Sequence, residues 1–216
     1  MKINKKHSGF TIAELMISVL IFSMMMTALV TIYGTINKHM FQSYRQNIVK
    51  NNLAIAIKAI QVRLMTATRV DMPAFGSYGN TLAFTTNVDK QSGCSPINSN
   101  VPNTWHYFCL RGTSVYYHTG TVPSTTGGCP CSATHPNRWT GSYPIGFCGP
   151  GGGGTVTQLL NNSQTPSMGR LFSRRSADGI TEVDQVAIEL RSTSNTSGAR
   201  PIDVTLSAIA HVQTTP

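Results

Sequence analysis

The chain has 216 residues with 17 basic and 8 acidic side chains, for a formal net charge of +9. Its 40% hydrophobic content can fill one core, but only 12% of residues are charged, roughly half the share of an ordinary soluble domain. Nineteen Gly and eleven Pro exclude a long coiled coil, and no G-X-Y period marks a collagen. The five Cys point to an oxidising compartment and therefore to export.

Lys2, Lys5 and Lys6 crowd a polar start that ends in Gly9, after which Phe10 opens an apolar run. The basic end is expected to stay cytoplasmic. From Leu15 to Asn37 there are 23 consecutive residues without a charge. As a helix they would span roughly 35 Å, enough to cross a bilayer. A secretory signal would have a shorter apolar region and a small-residue cleavage site at its far end, whereas Gly9 precedes the run. Glu14 stands out, because a carboxylate at this depth costs about 2–3 kcal/mol and calls for a cation. If the chain were cut after Gly9, the new α-amine of Phe10 would lie about one helical turn from Glu14. The plainer alternative places Glu14 at headgroup depth beside the lysines.

The run Gly9-Phe10-Thr11-Ile12-Ala13-Glu14-Leu15-Met16 resembles the precursor signature of the type IV pilin and pseudopilin family: a short basic leader, Gly, Phe-Thr-x-x-Glu and an apolar helix. The resemblance covers about the first 40 residues. It implies cleavage between Gly9 and Phe10 by a prepilin peptidase and N-methylation of Phe10. It further implies pairing of Glu14 with the terminal amine of an adjacent subunit during filament assembly. Removing the three leader lysines would lower the charge from +9 to +6. Many major pilins carry a proline within the apolar helix, and none occurs here before Pro73.

The absence of Pro and Gly from Lys38 to about Arg69 predicts that the helix continues beyond the membrane. Val49, Leu53, Ala56, Ile57, Ile60 and Leu64 fall on one face within about 100°, and Ile48, Ile55 and Val62 form a narrower stripe opposite. The first stripe is expected to pack on the chain's own head, the second on neighbouring subunits. A helix buried within one large domain is the alternative. Met16, Met24, Met25 and Met26 read as helix packing rather than metal ligands.

Beyond Asp71-Met72-Pro73 the pattern changes to short β-prone runs broken by Gly, Asn, Pro and Ser. Strands are expected at 81–86, 105–110, 114–118, 183–191 and 202–212, the last two forming a hairpin. With the helix, this predicts an α+β fold in which an antiparallel sheet packs on a long N-terminal helix. The expected layout is a leader at 1–9, a membrane and filament-core helix at 10–37, an amphipathic helix at 38–70 and a head at 71–216.

Cys94, Cys109, Cys129, Cys131 and Cys148 fall within 55 residues and read as disulfide staples with one thiol left over. Fifteen pairings are open. The competing reading, a metal site from Cys129-Pro130-Cys131 with His106, His118 and His135, lacks the paired knuckles of structural zinc sites, so no metal or cofactor is expected. Gly149-Pro150-Gly151-Gly152-Gly153-Gly154 lacks the Gly-Lys-Ser/Thr of a phosphate loop and reads as a flexible surface loop. No nucleophile, metalloprotease or paired-carboxylate motif stands out, and a non-enzymatic subunit is expected over a membrane-anchored periplasmic hydrolase. Arg170, Arg174 and Arg175, in the stretch 169–175, form the densest basic cluster of the head, but Asp178, Glu182 and Asp184 follow closely. Subunit contacts or a solvated face are therefore preferred over DNA as its role.

The family resemblance makes a minor pilin the leading expectation, helping to initiate or cap a type IV pilus. A type II secretion pseudopilin and a major pilin are the alternatives. Expected partners are prepilin peptidase, other pilins and the pilus assembly platform. The subunit is expected in the inner membrane with its head outside the cytoplasm, then in the pilus at the cell surface, where the Cys-rich loops could serve as an adhesive tip.

Overall fold

The computed structural model describes residues 9–164, 170–176, 184–194 and 200–212. The leader lysines, Gly169, Asp178, Glu182, Val183 and most of the expected hairpin loop lie outside the described residues. The chain divides into two compact units, Met1–Arg45 and Gln46–Pro216.

Helix α1 (Ile12–Leu64) is 53 residues long and contributes to both units. It ends short of the expected Arg69: the Thr66 and Ala67 amides bond three residues back to Arg63 and Leu64, tightening the last turn. The Thr68 amide then bonds the Thr85 carbonyl, which draws the chain into a sheet.

Ten strands follow. They are β1 (Arg69–Met72), β2 (Tyr78–Gly79), β3 (Thr81–Thr86), β4 (Thr104–Arg111), β5 (Ser114–Thr121), β6 (Thr155–Leu160), β7 (Ser163–Gln164), β8 (Phe172–Ser176), β9 (Asp184–Ser194) and β10 (Ile202–Val212). They form two antiparallel sheets where sequence patterning predicts one. The first sheet has the order β1-β3-β4-β5-β6; the second runs β10-β9-β8-β2, with β7 also paired to β9. The fold is α+β. The terminal hairpin is present, with β10 paired to β9 from Ile202↔Ser194 to Val212↔Asp184.

The main core joins α1 to both sheets. Leu53, Ala56, Ile57, Ile60 and Leu64 pack with Leu82, Phe84, Phe108, Phe172, Ile188 and Leu190. The first predicted stripe is therefore the buried one. The opposite stripe stays in solvent, with Ile48, Ile55 and Val62 being 42%, 68% and 51% exposed. A second, smaller core lies under the long loop after β5, where Trp105 and Val122 meet Val88 and Trp139. Successive residues of β4 alternate between the two cores, His106 and Phe108 on one face and Trp105 and Tyr107 on the other.

Candidate functional site

The first unit carries the residues that the sequence singles out. Thr11 and Glu14 form a reciprocal cap on α1: the Glu14 amide donates to Thr11 Oγ1 at 3.3 Å, while the Thr11 amide and hydroxyl donate to Glu14 Oε2 at 3.0 and 3.1 Å. This is a capping box, readable in Thr-x-x-Glu, and it supplies Glu14 with partners within the chain. Gly9 and Phe10 lie just ahead of it, Phe10 being 80% exposed.

Beyond the cap, every Ser and Thr between Leu15 and Asn37 returns its hydroxyl to the helix backbone. Ser18 donates to Glu14, Ser23 to Leu20, Thr27 to Met24, Thr31 to Thr27 and Thr35 to Thr31, all at 2.8–2.9 Å. These five hydroxyl hydrogens are thereby satisfied in a hydrocarbon environment that offers no other acceptor. Among the described residues α1 is the one helix long and apolar enough to cross a membrane.

In the head, the disulfides are Cys94–Cys131 and Cys109–Cys148, leaving Cys129 free and half-buried. Burial pushes the Cys129 thiol up, and the Asp89 carboxylate adds to the effect. The two bridges pin the loop after β5 over the outer face of the first sheet. Buried bonds at its base hold it as well: the Thr125 amide and hydroxyl both donate to the Ser95 carbonyl at 2.7 Å. A second tie is Asp71, which accepts from Arg69 Nε at 2.7 Å, Trp139 Nε1 at 3.0 Å and the Tyr143 hydroxyl at 2.7 Å. Burial, then the charge of Asp71, pushes the Tyr143 phenol far up.

The histidines that the sequence places beside Cys129-Pro130-Cys131 are dispersed. His106 faces the main core, His118 lies on the opposite face of the first sheet, and His135 sits in the covering loop, where Nε2 accepts from the Thr126 amide at 3.2 Å. The glycine run is also held rather than free. Its Gly149 amide donates to His118 Nε2 at 3.1 Å, and Gly152 and Gly153 pack so closely on the Phe147 and Pro144 carbonyls that a Cβ would lie 2.2 and 1.9 Å from those oxygens.

The arginine cluster dissolves in the fold. Arg174 is buried and donates through Nη1 to the Val70 carbonyl at 2.7 Å, and Arg170 stacks over the Tyr78 ring at 3.9 Å. Arg175 alone of the three is exposed. The inward turn of Arg174 also hides β8 from patterning, since Phe172 and Arg174 together form its buried face.

Residues 4–30 match the family model described as the prokaryotic N-terminal methylation motif. This match supports a type IV pilin-like family. The pilin-like segment takes in Gly9, Phe10, the cap and about the first two thirds of the apolar stretch, and ends before the head. No curated protein and no solved structure matches the chain.

His106 carries a pH prediction. Its Nδ1 lies 2.7 Å from the Tyr117 hydroxyl, its Nε2 lies 3.0 Å from the Thr104 hydroxyl, and the Arg63 guanidinium sits over the Tyr117 ring at 4.5 Å. Burial, reinforced by the Arg63 charge, lowers its pKa from 6.5 to about 4. Between those values the unfolded chain binds a proton that the folded chain does not, so this contribution is complete above pH 6.5 and is lost as pH falls toward 4. The slope approaches about 1.4 kcal/mol per pH unit. Urea midpoints of the full chain in detergent should fall more steeply across this window than those of His106→Gln. Parallel profiles would remove His106 as the cause.

Proposed function

We propose that the chain is a minor pilin of a type IV pilus, stored in the inner membrane, processed at Gly9–Phe10, N-methylated on Phe10 and built into a filament through α1. The carrying observation is the match at residues 4–30, which lies over a capped apolar helix whose carboxylate, Glu14, follows the Gly-Phe junction by four residues. The loop-covered, twice-bridged head supports a specialised subunit over a compact repeating one. The exposed Ile48, Ile55 and Val62 stripe supports contacts to neighbouring subunits. Its role is structural: the chain is a substrate of the peptidase and performs no reaction of its own. Partners are the peptidase, the assembly platform and other pilins, with the head outside the cytoplasm and, after assembly, at the cell surface. DNA contact has little support, because two of the three clustered arginines are engaged within the fold. A type II secretion pseudopilin is the second reading, since its amino-terminal features are the same.

Intact-mass and N-terminal peptide spectrometry on the protein from its native cell, with and without the peptidase gene, tests this. Loss of residues 1–9 and a methyl group on Phe10, both dependent on that gene, are expected. An intact Met1 terminus in wild-type cells would leave a simple membrane-anchored protein and overturn the assembly role.

A further inference from the structure

We propose that Cys109, Cys148 and His118 form a zinc site in the reduced chain, distinct from the Cys129-Pro130-Cys131 cluster that the sequence draws attention to. Cys109 on β4 and His118 on β5 are diagonal neighbours across the ladder, through the pairs Tyr107↔His118 and Cys109↔Tyr116. Both face the covering loop, which brings Cys148 to them. One donor atom from each of the three residues lies within 4.8 Å of the others, and Cys109 and His118 are 1% and 0% exposed.

His118 is set up as a ligand. A backbone amide can only donate, so the 3.1 Å contact from the Gly149 amide makes Nε2 the acceptor nitrogen. Nδ1 therefore carries the proton and donates to the Gly153 carbonyl at 3.0 Å. An imidazole fixed by a carbonyl on one nitrogen is the usual second-shell arrangement of a metal-bound histidine, and a metal would take the Nε2 lone pair in place of the Gly149 amide.

In the oxidised chain the sulfurs bond each other and the Gly149 amide takes the lone pair of Nε2. A dithiol, itself oxidised to its disulfide, transfers two electrons and two protons to the bridge and leaves two thiols. Zn²⁺ then displaces both thiol protons and binds two thiolates and Nε2, with water in the fourth position. Zn–S bonds of about 2.3 Å in a tetrahedron set the sulfurs about 3.8 Å apart, so the two cysteine side chains would move apart once the bridge is reduced. Two thiolates and an imidazole are the ligand types that Zn²⁺ prefers. Metal and disulfide compete for the same sulfurs, so zinc-loaded chain is expected to resist forming the Cys109–Cys148 bridge.

The test uses the full chain in detergent carrying Cys94→Ser, Cys129→Ser and Cys131→Ser, reduced with a dithiol that is then removed without air. Titration with Co²⁺ should give a sulfur-to-cobalt charge-transfer band saturating at one equivalent and bleached by Zn²⁺. The oxidised chain should give no band, and His118→Gln should weaken binding at least about tenfold. No band, or unchanged affinity in His118→Gln, would overturn the proposal. Should the triple variant fail to fold, the reduced wild-type chain is treated with Zn²⁺ and an alkylating agent and mapped by mass spectrometry. Selective protection of Cys109 and Cys148 supports the site, and equal protection of all five cysteines sinks it.

Discussion

Ile60→Asp is expected to unfold the second unit, whereas Ile55→Asp, five residues earlier on the same helix, should leave its stability within about 0.5 kcal/mol. Ile60 is 0% exposed in the main core; a carboxylate there is buried among apolar side chains and loses the burial of the isoleucine as well. The expected cost exceeds about 4 kcal/mol, a large part of the stability of an ordinary domain. Ile55 is 68% exposed, so its replacement leaves the core untouched. Near-UV circular dichroism and protease resistance of the full chain in detergent measure both effects. The proposed contacts with neighbouring subunits add a second readout: Ile55→Asp should accumulate folded in the membrane yet be depleted from sheared filaments. If Ile55→Asp unfolds the chain, or enters filaments normally, the exposed stripe is not an assembly surface.

Gly154→Val should cost at least about 3 kcal/mol and abolish the near-UV signal of Trp105. Gly154 has φ +77°, and a Cβ there would stand 2.5 Å from the Thr119 carbonyl oxygen and 2.5 Å from Trp105 Cη2. Gly120 completes the slot from β5, where a Cβ would come within 2.6–2.7 Å of the same indole. Trp105 thus lies flat against two glycines, and its burial depends on the absence of both side chains. Gly112→Ala separates clash from backbone strain. Gly112 has φ +59° with nothing within 4 Å of the added carbon, so only the left-handed backbone cost of about 1–2 kcal/mol is expected. Equal denaturation midpoints for the two variants would show that the indole slot is not the source of the loss.

The parts of the molecule legible in the sequence are those set by short-range spacing. The buried stripe of α1 follows from a 3.6-residue period, and the bounds of β3 and β10 coincide with their β-prone runs. The capping box is equally local: Thr11 and Glu14 carry its pattern, although a carboxylate ahead of an apolar run points first to an external cation. β1, β6 and β8 do not show in the pattern because their residues do not alternate cleanly: the first residues of β1 continue the expected helix, and β8 turns an arginine inward. The disulfide pairs were not legible, since each joins segments 37 or 39 residues apart through the fold of the loop. The trio of Cys109, His118 and Cys148 depends on strand register in the same way. His106 and His118 could not be assigned to opposite faces without knowing which residues of β4 and β5 pair.

All three bonds of the Thr11–Glu14 cap lie on the Phe10 side of the Gly9–Phe10 junction. Scission at that bond would remove none of their atoms. The helix would keep the same first turn and starting residue on either side of the event. Leader loss would then act as a change of charge at a fixed structural origin, exchanging a lysine-bearing extension for a single amine immediately outside an already closed turn. No refolding of the segment would be needed between the precursor and its product.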